Sequence, residues 1–202
     1  MDVSERVAAL AITGVIVWLH FVTATSLGPL WRDEANTVGL ATLPSVTDVW
    51  RNLQFDSFPV LWVLLVRICA TVAGSMNDPA FRVIGFAAGL SIVGGLWLNA
   101  QVFGYRSPLI ALALLGMSPS LIIWGDSLRA YGLGIAAILI TASLVWRFVQ
   151  AATIPRFAAA AALAILSVNI LYYNAVLILA LCAGAFAVCA LNRDNRKCVG
   201  IV

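Results

Sequence analysis

The sequence predicts an all-α, polytopic membrane helix bundle, and three observations lead to that fold class. Of the 202 residues, 62% are hydrophobic and only 10% are charged, whereas soluble domains are roughly 45–50% apolar. Apolar stretches longer than about 18 residues recur along the chain, as in membrane-spanning helices. These stretches lack the period-2 alternation of a transmembrane barrel, so helices must satisfy their backbone groups in lipid. Soluble enzymes, nucleic-acid-binding proteins and disordered adaptors are therefore excluded.

Seven apolar segments predict a single membrane domain over residues 1–202. The first segment is too long for the core of a cleaved signal peptide, so we expect it to remain as a signal-anchor helix. The segments cover residues 7–28, 58–74, 83–103, 107–125, 131–149, 157–173 and 174–191.

The topology depends on segment 58–74, which carries Arg67 near its middle. If this segment spans the membrane, three basic residues lie inside and eight outside, against the positive-inside rule. If it is interfacial or re-entrant, seven lie inside and five outside. Arg67 then avoids a cost of roughly 3 kcal/mol at the bilayer centre. We expect about six spanning helices, juxtamembrane helices in the first outer loop, and a multi-pass protein of the plasma (inner) membrane with a cytoplasmic N-terminus. The inner basic residues are Arg6, Arg106, Arg147, Arg156, Arg193, Arg196 and Lys197.

This topology gathers six of the nine carboxylates on the outer face. Acidic residues contribute little to topology, so their gathering is partly independent support for a site on that face. The six residues are Asp33, Glu34, Asp48, Asp56, Asp78 and Asp126.

The first outer loop, residues 29–57, contains a predicted amphipathic helix. Ser45 stands where a helix cap is needed, and Asp48 lies at the capping-box distance from it. The apolar residues that follow have the i, i+3, i+4, i+7 spacing of a helix lying on a membrane. They are Val46, Val49, Trp50 and Leu53. A long loop with a helix of its own is usually functional.

Two further polar patches belong to the predicted outer face. Asp126, Arg129 and Tyr131 form a short turn, which is either part of a site or an interfacial ion pair with a belt aromatic. Tyr172 and Asn174 close the outer end of the sixth segment. They either hydrogen-bond a polar ligand or anchor the helix at the interface.

The order of these residues resembles the N-terminal half of the GT-C class of glycosyltransferases. The closest branch is the protein mannosyltransferase-like family that uses polyprenyl-phosphate-linked sugars, and the resemblance runs from about residue 5 to 190. It rests on Asp33-Glu34 after the first helix, Asp56-x-x-Pro59, Arg82 at a helix start, Pro119 late in another helix, and Asp126-x-x-Arg129-x-Tyr131.

The resemblance implies a membrane enzyme that transfers a hexosyl or pentosyl group from a polyprenyl-phosphate donor to an acceptor on the outer face. It implies Asp33, Glu34 and Asp126 as the catalytic acids. Such transfer needs a carboxylate near the nucleophile and positive charge near the leaving phosphate. Family members also have later helices and a soluble domain, which these 202 residues do not contain.

The expected substrate-binding residues surround these acids. The resemblance places Arg129 beside the donor phosphate, where a guanidinium suits the charge, with Tyr131 next to it and Asp56 opening the following segment. Tyr172 and Asn174 are candidates from their polarity alone. The expected partners are the lipid-linked donor and membrane lipid, without nucleic acid. No cofactor is predicted, and a divalent metal between the acids is the alternative.

Two other functions are consistent with the composition. A transporter or channel component could use the outer acids as a cation vestibule, although no predicted spanning helix carries a carboxylate at mid-bilayer, where coupling sites normally lie. A non-catalytic membrane scaffold derived from a shortened transferase agrees with the length of the sequence. Labelled-sugar transfer and ion flux would separate the three functions.

Overall fold

The computed structural model describes residues 3–73 and 78–191, and the regular structure in these ranges is entirely helical. The predicted all-α bundle is confirmed. The helices are α1 (Val3–Ser26), α2 (Arg32–Ala41), α3 (Val46–Asn52), α4 (Val60–Ala73), α5 (Asp78–Val102), α6 (Leu109–Gly116), α7 (Pro119–Gly125), α8 (Tyr131–Gln150), α9 (Ile154–Ile170) and α10 (Asn174–Leu191), with a 3-10 turn at Leu53–Phe55.

Within the described ranges, four helices are long and apolar enough to cross a membrane, namely α1, α5, α8 and α10. Helices α4 and α9 are apolar but shorter. The chain therefore has the helices of a membrane protein. The count of about six spans and the orientation of the N-terminus stay predictions. The basic residues after position 191 lie outside the described residues.

Where the sequence predicts one helix over residues 107–125, the structure has two, α6 and α7. The break falls at Met117 and Ser118, and the backbone of Ser118 (φ −112°, ψ 88°) is not helical. Pro119 occupies the first turn of α7. Its missing N–H costs no hydrogen bond there, whereas inside a continuous helix it would remove one. The second half of this segment is thus free to take its own direction toward the turn that follows.

Polar contacts identify the two ends of the bundle. At one end the guanidinium of Arg82 binds the carbonyl oxygen of Pro29 (2.8 Å), and Arg129 binds Ser57 Oγ (3.1 Å). We call this the polar end; residues 27–59, 78–82 and 124–131 meet there. At the opposite end Ser107 Oγ donates to Glu5 Oε1 (2.6 Å). Since α1 and α5 each run between the two ends, they are antiparallel neighbours.

Segment 58–74 forms α4, and its last residue lies outside the described residues. Arg67 donates from Nη1 to the carbonyl oxygens of Ala41 (2.8 Å) and Leu43 (2.5 Å), and from Nη2 to that of Pro44 (3.2 Å). These carbonyls belong to the C-terminal end of α2 and the turn after it, where a cation is favourable. The charge of Arg67 is therefore matched by backbone oxygens. An interfacial or re-entrant α4 stays a prediction.

Two apolar clusters support the polar end and the middle of the bundle. The first packs Val49, Trp62, Phe81 and Leu128 beneath the first loop, and the second packs Ile16, Ile92 and Leu112 between α1, α5 and α6. Complete burial of a side chain such as Phe81 contributes about 1.5–3 kcal/mol where water is the alternative. The first cluster therefore ties the loop helices to the bundle instead of leaving them free on its surface.

Candidate functional site

Glu34 is a buried carboxylate that joins three parts of the polar end. Its Oε1 accepts from Arg82 Nη1 (3.0 Å) and from the backbone N–H of Leu128 (2.7 Å), while Oε2 accepts from the backbone N–H of Trp31 (3.1 Å). The residue is 1% exposed. A buried charge is tolerated only when it is paired and hydrogen-bonded in this way. Glu34 therefore fixes the start of α2 against α5 and the turn before α8.

The guanidinium of Arg82 binds the turn that follows α1. Its Nε and Nη2 both donate to the carbonyl oxygen of Gly28 (3.3 Å each), and Nη2 also donates to that of Pro29. Gly28 has a φ of +68°, a conformation that glycine adopts without steric cost. The turn between α1 and α2 is thus shaped to present carbonyls to Arg82.

Arg129 organises a second cluster beside the first. Its Nη1 donates to the backbone oxygen of Asp33 (3.0 Å) and to Thr37 Oγ1 (3.1 Å), and lies 3.5 Å from Asp56 Oδ1. The guanidinium carbon stands 4.2 Å from the centre of the Phe58 ring, within cation–π range. Arg129 was predicted to hold the donor phosphate, but most of its donors are already engaged within the protein.

Asp126 lies inside the bundle instead of at its rim. Its Oδ1 is 2.6 Å from Nδ1 of His20, and both side chains are fully buried. Burial raises the pKa of the Asp126 carboxyl, and the hydrogen bond and charge of His20 oppose that rise. Asp126 Oδ2 and His20 Nε2 have no hydrogen-bond partner among the described residues. The geometry therefore gives Asp126 an interior partner and no direct route to solvent.

Asp33 differs from the other two predicted catalytic acids. It is half-buried, and its carboxylate makes no hydrogen bond or ion pair within residues 3–73 and 78–191. Its backbone oxygen is held by Arg129 and by Thr37 Oγ1 (3.3 Å). The neighbouring guanidinium of Arg32 is exposed. The main chain at this position is thus fixed, while the carboxylate is available to a ligand.

Two cavities adjoin at the polar end and share Pro29 and Arg82. The larger, about 840 Å³, is a mainly apolar groove between α1 and α5, and the smaller is about 200 Å³. The groove is lined by Phe21, Ala24, Thr25, Gly28, Pro29, Asp78, Pro79, Arg82, Val83 and Phe86. The smaller cavity is lined by Leu27, Pro29, Trp31, Glu34, Arg82, Ile123, Trp124 and Ser127. Of the three predicted catalytic acids, Glu34 lines the smaller cavity, whereas Asp33 and Asp126 line neither.

The remaining predicted binding residues have different surroundings. Tyr131 packs edge-on against Phe58 and Trp124, with ring centres 5.2 and 5.7 Å away. Tyr172 is exposed. Asn174 is buried, and its Nδ2 donates to the Gly134 oxygen (2.9 Å) and to Ser167 Oγ (2.8 Å). The amide of Asn174 is therefore used in packing α8, α9 and α10, and Tyr172 is not joined to it in one site.

Sequence reasoning missed two features of this end. It did not pair His20 with Asp126, although a lone histidine in an apolar helix needs a polar partner inside the bundle. It also did not identify Thr37, which is fully buried and binds Arg129 and Asp56 Oδ2 (3.4 Å). Asp33 and Thr37 are four residues apart, so on a helix they lie one turn apart on the same face. This spacing could have indicated that Thr37 belongs to the same cluster as Asp33.

Among the described residues, no three His, Cys, Asp or Glu side chains are grouped closely enough to hold a metal ion. Comparisons with models of protein families, with curated proteins and with solved structures found no match.

Proposed function

We propose that this chain is a membrane glycosyltransferase, or the N-terminal module of one, that uses a polyprenyl-phosphate-linked sugar at its polar end. The observation that carries the proposal is the apolar groove between α1 and α5, which reaches Arg82 and adjoins the cavity containing Glu34. Such a combination suits a ligand with a long apolar chain and a polar head. The groove's volume of about 840 Å³ falls within the usual range of small-molecule sites.

The arrangement separates the two parts of such a donor. Phe21, Val83 and Phe86 line the apolar part of the groove, and Asp78 and Arg82 mark its polar end. An isoprenoid chain would stay in contact with the membrane interior while the phosphate and sugar reach the interface. Holding both reactants at one interface lowers the entropic part of the barrier.

The chemistry assigns different roles to the acids. Asp33, which follows Arg32 and precedes Glu34, has no counter-ion among the described residues and lines neither cavity. It serves as the base that accepts the proton of an acceptor hydroxyl, which approaches from outside the two cavities. Glu34, which Arg82 and Leu128 already hold, positions the start of α2 instead. Arg32 offers an exposed guanidinium for the leaving phosphate, because that of Arg129 is engaged. As the sugar's anomeric carbon bonds to the acceptor oxygen, its bond to the lipid phosphate breaks.

The direct test reconstitutes the full chain in vesicles with a radiolabelled polyprenyl-phosphate sugar and measures label leaving the lipid. We expect transfer only in vesicles that contain the protein. Unchanged donor in both preparations would contradict the proposal. The sugar and acceptor are found by varying each in the same assay.

A non-catalytic scaffold is the second candidate, and one observation favours it. Four of the charged residues at the polar end bind other parts of that end, so these charges serve to hold the fold. They are Glu34, Asp56, Arg82 and Arg129. The buried His20–Asp126 pair is the feature that would favour a transporter. A scaffold predicts neither transfer nor ion flux, whereas a transporter predicts flux without transfer.

A further inference from the structure

Two glycines of α5 face the turn before α8, although their GxxxG spacing is typical of contact between two helices. A side chain at Gly85 would overlap the backbone oxygen of Asp126. One at Gly89 would overlap Asp126 Oδ1 and lie 2.8 Å from Nδ1 of His20. The two glycines therefore form a socket in α5 that receives Asp126 and the imidazole together.

His20 and Asp126 have only each other in this socket. Their 2.6 Å contact joins α1 to the turn, and their other polar side-chain atoms have no partner among the described residues. An unpaired polar group in such surroundings is costly. Loss of either side chain therefore leaves the other without a partner, which makes the arrangement all-or-none.

The turn seated by this pair supplies the contacts that shape the candidate site. Two residues after Asp126, the backbone N–H of Leu128 donates to Glu34 (2.7 Å). One residue further on, Arg129 holds the backbone oxygen of Asp33 (3.0 Å). A shift of the turn along α5 would move both donors away from α2. The position of Asp126 thus affects one of the contacts that hold Glu34 and one of those that hold the main chain of Asp33.

We propose that His20 and Asp126 form a buried positioning pair that seats the turn at residues 126–130 in the Gly85–Gly89 socket, and so holds Asp33 and Glu34 in place. The inference deepens the proposed function, because it assigns Asp126 a positioning role in that same site. The contacts that carry it are independent of the reaction, so it can be tested without any transfer assay.

The test uses a single thiol as a reporter of the turn's position. Ser127 is 4% exposed, so Ser127→Cys in a variant without the natural cysteines should react slowly with a soluble thiol reagent. His20→Leu and Gly89→Ala should each increase its labelling rate by about tenfold or more, because they remove the partner or fill the socket. Fast labelling requires the turn to open locally.

Matched variants separate a positioning role from general packing. Gly94 has nothing within 4 Å of an added Cβ, so Gly94→Ala should leave the labelling rate unchanged. His20→Asn keeps an N–H near the position of Nδ1 and should restore slow labelling. A second reporter, Ser143→Cys, replaces a buried residue in the half of α8 beyond the turn and should stay protected in every variant.

Two results would overturn the inference. One is slow labelling of residue 127 in both His20→Leu and Gly89→Ala, which would show that the turn is held without the pair. The other is equal acceleration at residues 127 and 143, which would show a general loss of packing. Neither result depends on sugar transfer, so failure of this inference is distinguishable from failure of the proposed function.

Discussion

At the scale of single residues, Asp126 should make the stability of the protein depend on pH. Burial raises the pKa of its carboxyl above the ordinary value of 3.8, so the folded state binds this proton more tightly than the unfolded state. The resulting stabilisation is complete at pH values below the ordinary pKa of 3.8. It is lost as the pH rises through the raised pKa, at up to about 1.4 kcal/mol per pH unit.

The measurement is the thermal unfolding midpoint of the detergent-solubilised protein from about pH 4 upward. The midpoint should fall with rising pH in the wild type, and Asp126→Asn should remove this part of the slope. Equal slopes in the two proteins would show that Asp126 does not carry the effect. Glu5→Gln is the control, since that carboxylate lies at the opposite end of the bundle.

Among the helices, α3 has the N-terminal capping contacts that its sequence predicts. Ser45 caps it: its Oγ accepts from the backbone N–H of Asp48 (3.1 Å), and Asp48 Oδ2 accepts from the backbone N–H of Ser45 (3.2 Å). Ser45→Ala should lower the unfolding free energy by about 1 kcal/mol. For a chain of this size that corresponds to about 2–4 °C in Tm.

The control for this prediction is Thr47→Ala. Thr47 is exposed within the same helix, and such surface substitutions usually change the unfolding free energy by less than about 0.5 kcal/mol. Equal effects of the two substitutions would mean that the cap contributes nothing. An effect of Ser45→Ala below that limit would contradict the capping argument as well.

Much of the helical structure could be predicted from the sequence, and the exceptions have physical causes. The long apolar helices and the capped start of α3 follow from hydropathy and from the Ser45–Asp48 spacing. Juxtamembrane helices were predicted in the first outer loop, but the position of α2 was not, because Glu34 binds Arg82 and Thr37 is buried. These are tertiary contacts without a local periodic signal.

The candidate site was less predictable than the helices for the same reason. The predicted topology placed Asp33, Glu34 and Asp126 on one face of the membrane. It could not show which of these acids would have a buried partner. Glu34 is held by Arg82, 48 residues later in the chain, and Asp126 by His20, 106 residues earlier. Pairing across such distances depends on how the helices pack. Of the three acids, Asp33 is the one whose carboxylate has no partner within the described residues.

At the scale of the whole molecule, we propose that the polar end faces outward and the opposite end faces the cytoplasm. Asn36 is exposed at the polar end and Arg106 at the opposite end. In a variant without the natural cysteines, Asn36→Cys should react with an impermeant thiol reagent in intact cells. Arg106→Cys should react only after the membrane is opened. The reverse pattern would invert the topology derived from the positive-inside rule.

We propose that Asp33 is the base for transfer from a lipid-linked sugar. The initial rate of transfer by Asp33→Asn in reconstituted vesicles tests this role. General base catalysis contributes about 10²–10⁴-fold, so the rate should fall at least about a hundredfold while membrane insertion is unchanged. Asp48→Asn, in the same loop, should transfer at the wild-type rate. A wild-type rate of transfer by Asp33→Asn would show that Asp33 is not the base.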